Sequence, residues 1–212
     1  MTQHAVVVPT PGYHHLGATT AGGWSGVLAR FEVVDSQVRP GTFDFLAARV
    51  MAKADTGQGI AWLEAGWTET GWGGDGRQRI YTYDTNGDAW SFYDEYDIKP
   101  GDRVWIYLQT EQDGPTPAWQ AWLWWGDEWH LLTSQELPLT GSARIEQYAE
   151  VHTDDPFEVP SLHVDNVALK AGPRGALRPW DASVPTGAGV SNGPYCLDWT
   201  DKYSTWSAGT CP

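Results

Sequence analysis

Arg144-Ile145-Glu146-Gln147-Tyr148-Ala149-Glu150-Val151 alternates polar and apolar side chains over eight residues. Strand side chains point to opposite faces in turn, so Arg144, Glu146, Tyr148, Glu150 and His152 share one side, and Ile145, Ala149 and Val151 the other. The apolar side is the core side. Trp62-Leu63-Glu64-Ala65-Gly66-Trp67 reads the same way, with Leu63, Ala65 and Trp67 inward and Trp62, Glu64 and Gly66 outward. If the two strands are neighbours, Glu64 meets Glu146 or Glu150 on a face lined by rings. A one-residue slip of register exchanges the faces, so spacing alone leaves open which of the later glutamates lies nearer Glu64.

Similar segments recur along the chain. Residues 24–34, 43–53, 60–68, 77–83, 89–96, 103–110, 119–125, 128–133, 143–153 and 162–169 read as strands separated by turn chemistry. Asn86-Gly87 and Gly126-Asp127 are hairpin signals, and Lys99-Pro100-Gly101-Asp102 places Pro and Gly where a tight reversal wants them. No 3.6-residue periodicity and no helical capping pattern occurs. The fold class expected is all-β: an antiparallel β-sandwich of jelly-roll type. Residues 1–23, with Pro9 and Pro11, read as an extended N-terminal arm, and 24–170 as the sandwich. Residues 171–194 read as a Gly/Pro-rich linker and 195–212 as a small knob closed by Cys196 and Cys211.

Composition excludes several classes. The 212 residues carry 13 Lys and Arg against 27 Asp and Glu, a formal charge of −14 that would repel phosphate backbones and anionic membranes. No apolar stretch approaches the length of a membrane-spanning helix. The only two cysteines, Cys196 and Cys211, are expected to form a disulfide worth roughly 3 kcal/mol, which implies an oxidising compartment. Met1-Thr2-Gln3-His4 opens no secretory signal, so the expected location is extracellular by another route or the surface of a virus particle. No metal or cofactor is expected: His14-His15 lacks a third ligand, and Asp84-Thr85-Asn86-Gly87-Asp88 is better read as a turn than as a calcium loop.

Two constellations carry chemistry. Glu64, Glu146 and Glu150 could form a carboxyl pair in which one member keeps its proton and the other stays charged, supplying an acid and a base. Trp62, Trp105, Tyr107 and Tyr148 all fall opposite the apolar side of their strands, as do Trp122 and Trp124. One sheet face can be absorbed by the core, not both, so these rings form a platform for a sugar or an apolar side chain, or lie under a loop.

The order of Trp24-Ser25-Gly26-Val27, Glu64-Ala65-Gly66 with Glu69, Lys99-Pro100-Gly101-Asp102 and Glu146-Gln147-Tyr148-Ala149-Glu150 resembles the glutamic peptidases of the eqolisin type. The resemblance covers residues 24–155. It implies a concanavalin-like sandwich with a catalytic glutamine and glutamate on its concave sheet. The family's glutamine falls on Glu64, a departure, and the family's later acidic strand falls on Glu146 to Glu150 without its Trp. Tyr81-Thr82-Tyr83 replaces a further family segment. A carboxyl group can donate a hydrogen bond as an amide does only when protonated, so failure as a peptidase at neutral pH is expected.

Three functions follow, in this order. The first is a non-catalytic module binding glycan or peptide on the ring-lined face. The second is an acid-active, glutamic peptidase-like endopeptidase using Glu64 and Glu146. The third is a structural decoration of a virus particle that docks a protein surface. Oligomers are left open.

Overall fold

The computed structural model describes residues 12–140 and 142–212. Among these there are fifteen strands and no α-helix, so none is long and apolar enough to cross a membrane. In chain order the strands are β1 (Tyr13–Thr20), β2 (Gly26–Glu32), β3 (Phe45–Asp55), β4 (Ile60–Thr70), β5 (Gln78–Asp84), β6 (Ala89–Tyr93), β7 (Arg103–Gln109), β8 (Ala118–Trp125), β9 (Glu128–Glu136) and β10 (Arg144–His152). They continue with β11 (Leu162–Lys170), β12 (Leu177–Pro179), β13 (Thr186–Ala188), β14 (Tyr195–Asp201) and β15 (Thr205–Thr210).

Two antiparallel sheets form a sandwich, as the alternation required. One has the order β13-β1-β10-β3-β4-β5-β6 and the other β14-β15-β11-β2-β7-β8-β9. Their inner faces carry the core. Val50, Leu63, Ala65, Trp67, Ile145 and Val151 come from the first sheet, and Val27, Phe31, Ile106, Leu108 and Leu123 from the second. A separate small cluster on the outer face of the first sheet joins Phe45, Ala47 and Tyr81 to the half-buried rings of Tyr13, Tyr83, Trp90 and Phe92.

Local chemistry sets the connections. Gly126 and Asp127 both have positive φ (56° and 73°) between the paired Trp125 and Glu128, the geometry a two-residue hairpin turn needs. Asp84 Oδ1 accepts the backbone N–H groups of Asn86 and Gly87 at 2.9 and 2.8 Å, which fixes the β5–β6 turn. Glu69, buried at the end of β4, accepts from Ser36, Val38 and Gln78 and pins the loop entering β3.

Three segments read as appendages contribute strands. Residues 13–20 of the expected arm form β1 against β10, whereas residues 1–11 of it lie outside the described part. The expected linker supplies β12 and β13, which pair with β11 and β1. The C-terminal segment is a β14–β15 hairpin hydrogen-bonded to β11, with Cys196 and Cys211 joined at a Cα separation of 4.9 Å. It extends the second sheet instead of standing apart. Short strands rich in Gly and Pro give little alternation to read, and these are held by pairing with longer neighbours.

Candidate ligand-binding face and its charge cluster

β10 and β4 are not neighbours. β3 runs between them, pairing Glu146 with Met51 and Met51 with Glu64. The three residues form one row across the sheet, so Glu146 is the later glutamate in register with Glu64. The next row is Gly17, Tyr148, Arg49, Gly66 and Tyr81. All these outward side chains share the face opposite the core.

Arg49 occupies the centre and is 3% exposed. Its guanidinium donates to Glu150 Oε2 from Nε and Nη2 at 2.7 and 2.6 Å. It lies 3.4 Å from Glu146 Oε2 and 3.5 Å from Glu64 Oε2. The remaining oxygens are also engaged. Tyr81 Oη donates to Glu64 Oε1 at 3.2 Å, Lys53 Nζ is paired with Glu146 Oε1, and His15 Nε2 faces Glu150 Oε1 at 3.4 Å. Each of the six carboxylate oxygens therefore has a nitrogen or hydroxyl partner within the protein.

The electrostatics follow from burial and the central cation. Burial would lower the Arg49 pKa, but three surrounding glutamates outweigh it and hold the guanidinium charged. Burial would raise Glu150; Arg49, aided by His15, takes it down to about 2. Glu64 is pushed up to about 7, mainly by burial, with Glu150 and Glu146 adding to the rise against the pull of Arg49. Burial, then the Glu64 charge, raises the Tyr81 phenol, which stays a donor. Glu64 thus takes a proton near neutrality while Glu150 remains ionised.

Rings flank this cluster. Trp62 stacks on Tyr83 with centroids 5.4 Å apart, and its buried Nε1 has no acceptor among the described residues. Tyr148 carries Arg49 over its ring at 5.4 Å. Tyr81 and Phe92 both stack on Trp90, and Tyr13 lies against His152. Of the four rings expected on one face, Trp62 and Tyr148 are together here. Trp105 and Tyr107 are not: they project from β7 on the outside of the other sheet, where Trp105 lies beneath Arg30 and Tyr107 beside Trp129. Alternation gave each strand an inside and an outside, but the two outsides lie on opposite sides of the sandwich. The sequence reading missed Arg49, Lys53, Tyr81 and His15. For Arg49 and Lys53 the signal was their alternation with the apolar Leu46, Ala48, Val50 and Ala52.

Among solved structures, scytalido-glutamic peptidase with a transition-state analogue inhibitor matches this chain with a TM-score of 0.64 over 93% of this chain and 98% of that one, at 13% identity. The fold is glutamic peptidase-like. Scytalido-glutamic peptidase with a peptide-based transition-state analogue gives 0.61 at 12% identity, covering 95% of this chain and 98% of the other. SCP-B, an eqolisin-family peptidase in complex with the tripeptide Ala-Ile-His, gives 0.60 at 14% identity over the same shares. No protein-family model and no curated protein matches the sequence. At these identities the likeness of the glutamic peptidase-like fold extends to the architecture and leaves the chemistry to the residues themselves.

Proposed function

We propose that the outer face of the seven-stranded sheet binds an extended peptide segment and leaves it uncleaved, in an extracellular or other oxidising setting. The observation that carries this reading is the pairing of every oxygen of Glu64, Glu146 and Glu150 with Arg49, Lys53, Tyr81 or His15. A general base must draw a proton from water, and cations held against a carboxylate weaken it for that task. Here the oxygens are turned to cations and donors of the same molecule, so the glutamates organise the floor of the face instead of attacking a ligand. The rings of Trp62, Tyr148, Tyr83 and Trp90 then supply apolar contact with modest entropy cost. Further support is that solved structures of the same fold hold a tripeptide or a peptide-based analogue. The disulfide suits an oxidising compartment.

The second reading, acid-active hydrolysis, is favoured by one observation: below pH 7 a protonated Glu64 donates a hydrogen bond where the family uses an amide. One pair of measurements separates the two. The purified chain is incubated with denatured protein from pH 2 to 8, and its binding to an immobilised library of random heptapeptides is measured in parallel. Binding weakened about tenfold or more by Trp62→Ala or Tyr148→Ala, with no cleavage at any pH, is expected. Cleavage at acid pH that disappears in Glu146→Gln would instead establish the hydrolase. Retention of neutral oligosaccharides and not of peptides would move the ligand class to glycan.

A further inference from the structure

Only 13 of the 212 residues are Lys or Arg, yet three of them, Arg77, Arg79 and Lys99, line one cavity of about 180 Å³ at the ends of β5 and β6. Asp94 and Asp97 line it too, but both are taken: Arg77 holds Asp94 at 3.1 Å and Lys99 holds Asp97 at 2.9 Å. Arg79 is different. It is 8% exposed, and its guanidinium lies 3.6 Å over the ring of Phe92. Nη2 donates to the Thr70 hydroxyl at 3.1 Å, and Nε is buried with no acceptor among the described residues. Among the described residues no carboxylate is in ion-pair contact with it. A ring face offsets part of the charge but accepts none of the in-plane N–H bonds, and Asp94 acts on the charge without pairing with it, which leaves a buried cation incompletely compensated.

Arg79 also belongs to the face already described. Register runs from Arg79 on β5 to Thr68 on β4, and the same row continues through Ala47 to Glu150. Three strand spacings put it ~14 Å from Glu150, a span covered by about four extended residues. We propose that this cavity is a carboxylate-binding subsite of the ligand face, with Arg79 as its anchor and Arg77 and Lys99 at its mouth. The proposal rests on the peptide-binding reading. The carboxylate is either the free C-terminus of the bound segment or an Asp or Glu side chain about four residues from the part over Glu150.

The test uses the full chain labelled with ¹⁵N. Arginine Nε–Hε signals are followed while sodium acetate replaces sodium chloride at constant ionic strength. One signal, absent in Arg79→Lys, is expected to shift saturably with acetate, and the milder, more exposed Arg77→Gln to weaken that response. Absence of any acetate-specific shift in the wild type overturns the subsite, whether or not Arg79→Lys folds. Library peptides that bind the face are then compared with C-terminally amidated forms and with Asn or Gln in place of Asp or Glu. A loss of about tenfold or more is expected from one of the two changes and identifies the source of the carboxylate. Peptides that bind equally well in every form overturn the subsite and leave the peptide-binding reading standing. If no peptide binds, that reading fails and the acetate titration alone decides the subsite.

Discussion

Replacing Arg49 by methionine would leave three buried carboxylates facing one another with only Lys53, Tyr81 and His15 nearby. Breaking a buried ion cluster by removing one partner costs about 3–5 kcal/mol. Arg49→Met is therefore expected to lose about that much stability in urea denaturation at pH 8, and less at pH 4, where protons can replace the missing cation. A second prediction concerns the sign of the pH dependence. Glu150, with its pKa depressed to about 2, contributes stability that is present above the ordinary carboxylate value and is lost as pH falls from about 4.5 toward 2. Glu64, raised to about 7, does the reverse: the folded chain holds the proton more tightly, so stability falls as pH rises from about 4.5 to 7. The two windows adjoin, and wild-type stability should peak near pH 4.5–5. Glu64→Gln should abolish the upper decline, a difference on the order of 3 kcal/mol between pH 5 and 8. An unchanged decline in that variant would locate the titration elsewhere. That the three glutamates share a face was legible from alternation alone. The cation among them was not, because its strand lies between theirs and nothing in spacing tells which third strand intervenes.

At the scale of the strand, ten segments could be read because each is long enough to show alternation and is bounded by turn residues. β1, β12, β13, β14 and β15 could not, being short, rich in glycine or proline, or irregular in pattern; β1 and β13 are moreover held by partners distant in sequence. Glycines within the readable strands carried a further message. Gly66 lies beside Arg49 in the central row, where an added Cβ would fall 2.0 Å from the Ala48 carbonyl oxygen and 2.8 Å from the Arg49 Cα. Gly17, across Tyr148 in the same row, would meet the Gln147 carbonyl oxygen at 2.0 Å. Both neighbours are backbone and cannot turn aside. Gly66→Ala is expected to push β3 and β4 apart, lowering stability by about 1–3 kcal/mol. It should also disturb the Arg49 pairings, seen as altered chemical shifts for Arg49 and Tyr148. A variant with wild-type melting temperature and an unshifted Arg49 signal would show that the sheet accommodates the methyl group.

For the molecule as a whole, the boundaries drawn from composition dissolve, since the arm, linker and knob all supply strands to two continuous sheets. Composition registers local backbone chemistry and is blind to pairing between residues far apart, such as Tyr13 with His152. The Cys196–Cys211 link therefore fastens an edge of the second sheet to itself, in strands that continue the core through Tyr195 and Trp206. Reducing it should lower stability by roughly 3 kcal/mol, measured as a lower urea midpoint with reductant present. Because the hairpin packs on the core side of β1 and β10, opposite the ligand face, peptide binding below the new melting temperature should be unaltered.

The charge at the middle of the ligand face has one more consequence. Dissolved ions screen exposed charges within about 8 Å at physiological strength and do so more tightly as salt is added. Glu64, Glu146 and Glu150 do not depend on that atmosphere, since their counter-charge is tethered to the strand between them and shielded from solvent. The centre of the face should present the same potential in fresh water and in brine.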